Sequence, residues 1–526
     1  MTQLWTFHGG LHLPAQKQVS TSQPIASLPL PSQLVIPLHQ HIGAAGELLV
    51  ATGDRVLKGQ PLTKPVGYVS AAIHAPSSGT VSDMGDFPLP HPSGLSAPCV
   101  VINTDGKDEW LEHHGEMNYR THSAADIRNR VRHAGIVGLG GATFPTSVKM
   151  NPAGQVINTL IINGAECEPY ITCDDVLMRE RAREIVLGAD IILHALDAQH
   201  GLIAIEDNKP EAIAALRAAL QAESQNKKLV AISVIAVPTL YPAGGEKQLI
   251  KILTGKEVPS HGLPADIGIV MQNVGTAAAV YRAICHGEPL ISRIVTVTGE
   301  AVAKPQNLEV LIGTPMNLLI EHCGSYLPDA NRLIMGGPMM GFALPSDELP
   351  VTKGCNCLLV QHAPPITSAM PCIRCGECVI ACPASLLPQQ LYWHASSKNF
   401  DQVQDYHLFD CIECGCCSHV CPSHIPLVQY FRFAKTEIWH QETEKRKADQ
   451  ARVRHDFRSE RLEREKRERE EALRKKKELL AKKATSETNT GEDDPKKEAI
   501  AAAMERVKIK KELSESAANT TPGKDV

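Results

Sequence analysis

The twelve residues Cys372-Ile-Arg-Cys375-Gly-Glu-Cys378-Val-Ile-Ala-Cys382-Pro383 recur thirty-nine positions later as Cys411-Ile-Glu-Cys414-Gly-Cys416-Cys417-Ser-His-Val-Cys421-Pro422. Both copies follow the spacing C-x2-C-x2-C-x3-C-P, which wraps a [4Fe-4S] cube. Three thiolates converge on one cube from a tight turn, and the fourth cysteine serves the other cube. The proline after each fourth cysteine is expected to start a helix that carries its thiolate away. Ligation is therefore expected to be crossed. Cys372, Cys375, Cys378 and Cys421 form one set, and Cys411, Cys414, Cys417 and Cys382 the other. Zinc ribbons take ligands in two pairs and leave the third and fourth cysteines of each run unexplained. Cys416 breaks the internal symmetry and reads as a spare thiol.

Upstream, Gly135-Ile-Val-Gly138-Leu-Gly140-Gly141-Ala-Thr-Phe144-Pro-Thr-Ser-Val-Lys149 is a glycine-rich turn with a lysine downstream. Its backbone N–H groups can approach an anionic phosphate. Glycine-rich turns without a ligand are commoner, so the loop alone leaves both readings open.

The elements that must position these groups are legible as periodic runs. Apolar β-formers at 156–163 and 229–237 alternate with helical stretches such as 211–220, which predicts an α/β layered domain with a mainly parallel sheet. Before it, 53–62 and 74–81 alternate apolar residues with Gly, Pro and Ser turns, predicting short strands. This part resembles the barrel-sandwich hybrid of biotinyl and lipoyl carriers. The matching hairpin tip, 67–74, has no lysine to take a prosthetic group, so the expectation is a docking module without a carrier function. After the α/β domain, 294–302 and 307–315 predict strands around a turn, followed by an amphipathic helix at 316–323. These resemble the soluble-ligand-binding β-grasp domain, and a spacer β-domain fits the same residues. Cys355 and Cys357, two apart, are expected to be buried small apolar residues rather than a disulfide.

The chain thus reads as multidomain α/β: a barrel-sandwich (lipoyl-like) domain at 1–118, an α/β flavin domain at 119–290, a β-grasp insert at 291–350, a two-cluster ferredoxin-type domain at 351–435 and a charged tail at 436–526. At 526 residues and 43% hydrophobic content it can bury several cores. Sixteen cysteines, eight of them assigned to iron, argue for a reducing compartment, the cytoplasm. Residues 1–8 lack a basic stretch followed by an apolar core, and no run of eighteen apolar residues occurs, so neither export nor a membrane span is expected. Residues 441–526 hold 24 Lys and Arg against 20 Asp and Glu, so the tail carries +4 and the rest −9 of a net −5. In 461–480, Glu463 with Arg467 and Glu470 with Arg474 lie four apart, supporting a solvated single helix. Interleaved glutamates cancel the field that phosphate binding needs, so no nucleic-acid partner is expected. Beyond Ala484 the composition reads as disorder.

Three further loops, Asn163-Gly-Ala-Glu166-Cys-Glu168-Pro169, Tyr241-Pro-Ala-Gly244-Gly245-Glu246-Lys247 and Met271-Gln-Asn273-Val-Gly-Thr276, follow the glycine-rich turn. In this order the four resemble the flavin-binding loops of the NADH-oxidising flavoprotein subunit of respiratory complex I. With the carrier-like N-terminal part and the two ferredoxin runs, the chain up to about residue 430 resembles the C-subunit family of the Rnf (Rsx) ion-translocating oxidoreductases. The resemblance implies that Gly138, Gly140, Gly141, Lys149, Asn163, Tyr241, Gly244 and Asn273 hold non-covalent FMN. Glu166, Glu168 and Glu246 would shape the flavin and nicotinamide pocket, and Phe144 would stack on the dinucleotide. Val137 and Leu139 stand where the complex I loop carries arginines, which leaves phosphate neutralisation to backbone dipoles and Lys149. Gly245 replaces the first acid of the complex I pair.

A nicotinamide gives two electrons as hydride, a cube takes one, and a flavin converts between them. The resemblance therefore implies an electron-input subunit with NADH as substrate, FMN, and two [4Fe-4S] clusters in series. Integral and peripheral Rnf subunits would be its partners, with membrane contact through them, on the cytoplasmic side of the inner membrane. The other reading is an iron-sulfur wiring scaffold with no NADH or flavin chemistry of its own.

Overall fold

The computed structural model describes residues 3–152, 154–226, 231–364, 367–487 and 496–517. Residues 1–438 form one compact unit and 439–526 a second.

In the first unit, Gln33–Pro37 alternates outward and inward residues, and Leu34 and Ile36 pack with Val81, Val100 and Ile102. It joins an antiparallel sheet in the order Gln33–Pro37, Ser96–Thr104, Gly79–Pro88, Arg55–Val56, with a bulge at Val81/Asp83. The carrier-like tip is used inside the chain. Ala71, Ala72 and Ile73 are buried, Arg132 donates to the Gly67 carbonyl, and Tyr68 Oη bonds the Asn151 carbonyl at 3.2 Å.

The α/β part has four parallel strands in the order Ala231–Val237, His200–Glu206, Thr159–Gly164, Ile269–Asn273. The buried run Leu160-Ile161-Ile162 is apolar without alternation because helices cover both faces of such a sheet. The third sheet is mixed, with Ser292–Thr298 between Gln306–Leu311 and Cys357–Gln361. Cys357–Gln361, expected in the cluster-bearing segment, thus completes the β-grasp sheet, and Ala26–Ser27 adds its far edge. Its continuous apolar run, Cys357 to Val360, carries no sign of which sheet will take it. Cys355 and Cys357 are buried in the packed cores, as expected.

In the cluster segment, Pro383 and Pro422 do not start helices. Helices begin five residues later, at Pro388 and Leu427. Ser385 and His424, at φ 54° and 51°, intervene in the left-handed region, which a right-handed helix cannot pass through. The two copies share this backbone: Arg374 and Glu413 (φ 57° and 56°) and Gly376 and Gly415 (φ 86° and 81°) also match at the thirty-nine-residue offset.

The helix Leu427–Glu487 begins in the first unit, and beyond residue 440 it is exposed wherever described apart from Thr443 and Ser459. In the stretch 461–480 its ion pairs among the described residues are Arg461 with Glu465, Arg474 with Glu478 and Lys475 with Glu471, in place of those expected from spacing. Disorder beyond Ala484 is corrected over part of that stretch: Lys496–Ala517, rich in Ala, Lys and Glu of high helix propensity, is helical. Residues 488–495 and 518–526 lie outside the described residues. Among the described residues no helix is long and apolar enough to cross a membrane.

Candidate functional site

Cys382, Cys411, Cys414 and Cys417 line one cavity, with Leu386, Leu391 and Phe431 around them. Cys372, Cys375, Cys378 and Cys421 line another, beside Tyr392 and Trp393. Each cavity thus brings together four cysteines, the donor set that a [4Fe-4S] cube takes. Non-glycine residues in the left-handed conformation at Arg374 and Glu413 bend each Cys-x-x-Cys turn around its cavity, a strain found where function requires it. Backbone N–H groups also point at sulfur, Leu386 at Cys382 and Glu413 at Cys411, both at 3.4 Å. Such donors stabilise thiolate charge. Glu413 is held by Arg432 at 2.8 Å and Lys435 at 2.9 Å, fixing that turn. The two cavities differ in depth. Cys414 and Cys417 are buried, whereas Cys375 and Ile373 are exposed. Cys416, the spare thiol of the sequence, is buried beside Cys414 and Tyr241.

The four glycine and acid loops meet at the carboxyl ends of the parallel strands. Leu139 N–H donates to Thr276 Oγ1 at 3.0 Å, joining the first loop to the fourth. Lys149 Nζ pairs with Glu246 at 2.8 Å and reaches the Met271 carbonyl at 3.4 Å, joining the first to the third and fourth. Asn163 Nδ2 bonds the Gly244 carbonyl at 2.8 Å, joining the second to the third. Asn273 caps the helix Val274–Tyr281 through Gly275 N–H at 2.8 Å and bonds Asp174 at 2.6 Å.

Within the first loop, Gly138 N–H donates to the Phe144 carbonyl at 2.9 Å and closes the turn, leaving Phe144 half-buried. Residues 139–142 form a turn, and among the described residues no group outside the loop accepts from the N–H groups of Gly140, Gly141, Ala142 or Thr143. Gly141 sits at φ 119°, and a Cβ there would meet nothing within 4 Å. A glycine-rich turn whose N–H groups are not taken up by the rest of the fold can cradle an anion. The donors fit a flavin phosphate.

The acids are placed differently from one another. Glu246 is at the loop surface with Lys149. The Glu166 carboxylate accepts from Asp174 N–H at 2.7 Å and Asp175 N–H at 3.2 Å, capping the helix Cys173–Glu180. Burial pushes it up to about 8, against the opposing charge of Lys17. Glu168 accepts from Met339 and Met340 N–H at 2.7 and 3.0 Å, and burial raises it too. Tyr241 Oη, buried at the base of the third loop, donates to the Cys414 carbonyl at 2.6 Å.

Four residues that the sequence did not single out complete this site. Lys17 Nζ donates to the carbonyls of Glu166, Glu168 and Ile171 at 2.7, 3.1 and 2.6 Å, and burial lowers its pKa. Asp174 is raised by burial. Arg293 and Lys353 lie behind the glycine-rich loop. No local motif marks any of them.

Family models match along the chain: the RnfC barrel sandwich hybrid domain over 5–107, the Nuo51 FMN-binding domain over 131–282, the SLBB domain over 294–343 and the 4Fe-4S dicluster domain over 371–425. The chain is 53% identical over 470 residues to the C-subunit of the ion-translocating oxidoreductase complex of Pseudomonas aeruginosa, covering 88% of this chain and 60% of that protein. It is 48% identical over 511 residues to the protein of that description from Pectobacterium atrosepticum, covering 97% of this chain and 71% of that one. It thus spans about 60 to 70% of the length of these relatives. A solved NAD+-reducing [NiFe]-hydrogenase in the H2-reduced state is 18% identical with a TM-score of 0.45, over 61% of this chain and 65% of that one.

Proposed function

This chain belongs to the C-subunit family of the ion-translocating oxidoreductase complexes, and on that premise we propose that it is the electron-input subunit of such a complex, passing electrons between NADH and two [4Fe-4S] clusters by way of FMN. Gly140, Gly141 and the neighbouring N–H groups of the turn would hold the flavin phosphate, with Lys149 and Glu246 at the loop surface beside it. Cys382, Cys411, Cys414 and Cys417 would hold the inner cluster, and Cys372, Cys375, Cys378 and Cys421 the outer. Bound flavin would supply the exchange between two-electron hydride and single electrons, and bound clusters would supply one-electron relays.

The observation that carries this reading is Tyr241, which belongs to a flavin-domain loop and bonds the Cys414 carbonyl. Around it, Lys247 pairs with Asp410 at 3.1 Å and Gln248 Nε2 reaches the Pro383 carbonyl at 3.3 Å, so the third loop lies directly on the inner cysteine set. The outer set is the shallower one, with Cys375 exposed and its other three cysteines half-buried, and suits exchange with a partner. Integral and peripheral subunits of the complex would be those partners, and docking on them would hold the chain at the cytoplasmic face of the inner membrane.

Anaerobic reconstitution with iron, sulfide and FMN tests the reading. Flavin retention and NADH-dependent reduction of a viologen are expected. Clusters without either would favour a wiring scaffold.

A further inference from the structure

The glycine-rich loop is gripped from behind by two buried cations from outside the flavin domain. Arg293, on the strand Ser292–Thr298, is 7% exposed. Its guanidinium donates to the carbonyls of Lys353, Ile294 at 3.3 Å and Leu139 at 3.4 Å. Lys353, 1% exposed, donates from Nζ to the Gly135 carbonyl at 2.6 Å and the Ala72 carbonyl at 3.0 Å. The first and fifth residues of the loop thus rest on donors that are themselves joined.

Neither cation makes an ion pair with a carboxylate among the described residues. Burying a charge is costly, and carbonyl dipoles with the more distant carboxylate of Asp174 offset only part of that cost. The position of Arg293 relative to the loop suggests what the charge is for. A trans peptide holds C=O and N–H in opposite directions. The Leu139 carbonyl faces Arg293, so the N–H of the same peptide, that of Gly140, faces away from it, on the side of the glycine-rich turn. A cation on the carbonyl polarises the peptide and strengthens its N–H as a donor.

We propose that Arg293 is a positioning residue for the flavin phosphate, supplying through the Leu139–Gly140 peptide the positive potential that the buried apolar residues Val137 and Leu139 do not. Lys353 fixes the start of the loop and, through its carbonyl, the guanidinium. This rests on the reading of the loop as an FMN phosphate site. It also gives the β-grasp sheet a role in flavin affinity, because Arg293 sits on a central strand of that sheet.

Flavin-free, cluster-loaded protein is titrated with FMN and with riboflavin, which lacks the phosphate, following flavin fluorescence in the wild type, Arg293→Gln and Arg293→Lys. Arg293→Gln is expected to weaken FMN about tenfold, the size of one partly screened charge, while riboflavin changes less than about twofold; Arg293→Lys is expected to restore most of the FMN affinity. Equal weakening of both flavins, or no change in either, would overturn the proposal. If Arg293→Gln does not fold, Arg293→Lys decides: retention of the wild-type preference for FMN over riboflavin supports it and loss of that preference overturns it. Wild type that binds neither flavin, or binds both equally, would refute the underlying site reading instead.

Discussion

The Tyr241 hydroxyl and the Cys414 carbonyl, 173 residues apart, share a 2.6 Å hydrogen bond that joins a flavin-domain loop to a cysteine turn through one buried ring. Tyr241→Phe keeps the ring packing and leaves that carbonyl unpaired, which costs about 1–3 kcal/mol of stability. Iron content is expected to be unchanged, and NADH-driven bleaching of cluster absorbance, compared at equal flavin loading, to slow several-fold in stopped flow. Bleaching at the wild-type rate would show that the contact plays no part in transfer.

The crossed cysteine sets make a prediction that the uncrossed arrangement does not. Wild type should reconstitute to about eight iron per chain. Cys382→Ser should fall to about four and give the electron paramagnetic resonance spectrum of Cys411→Ser. A spectrum matching Cys372→Ser would mean that each run keeps its own cube.

Gly141 combines φ 119° with open space where a Cβ would stand. Gly141→Ala should cost about 1–3 kcal/mol through backbone strain alone and weaken FMN binding beyond that by filling the cradle. Isothermal titration with FMN checks it, and an unchanged dissociation constant would place the phosphate elsewhere.

Burial lowers Lys353 from 10.5 to about 7. Between those values the unfolded chain holds a proton that the folded chain does not, so stability from this group rises with pH across that window, by at most about 1.4 kcal/mol per unit, and is flat below it. Thermal midpoints of wild type and Lys353→Met at pH 7 and pH 9 should show the wild type gaining on the variant. Parallel behaviour would mean that the ammonium is not buried.

Local spacing made the cysteine runs, the parallel sheet and the order of the loops legible, because each is written within a dozen residues or as a period. The buried cations were not. Arg293 meets Leu139 across 154 residues and Lys353 meets Gly135 across 218, and neither has a motif. The helix starts were misplaced for a related reason: a proline after the fourth cysteine fits a helix start, but left-handed Ser385 and His424 turn the chain first. In the tail, composition argued for disorder where alanine-rich helix propensity prevails over Lys496–Ala517.

Truncation after His440 removes the exposed part of the tail and leaves Ile438, the last buried apolar residue of the cluster core, in place. Iron content and NADH oxidation should survive. Loss of either would assign the tail a role in the folded body.

The central claim is that electrons from NADH reach the inner cysteine set before the outer one. Anaerobic NADH titration followed by electron paramagnetic resonance tests it in two variants. Cys375→Ser, which damages the outer cluster, should still show NADH-reduced inner cluster. In Cys411→Ser, which damages the inner, the outer cluster should stay oxidised with NADH while dithionite reduces it. Reduction of the outer cluster by NADH in Cys411→Ser at the wild-type rate would contradict the account.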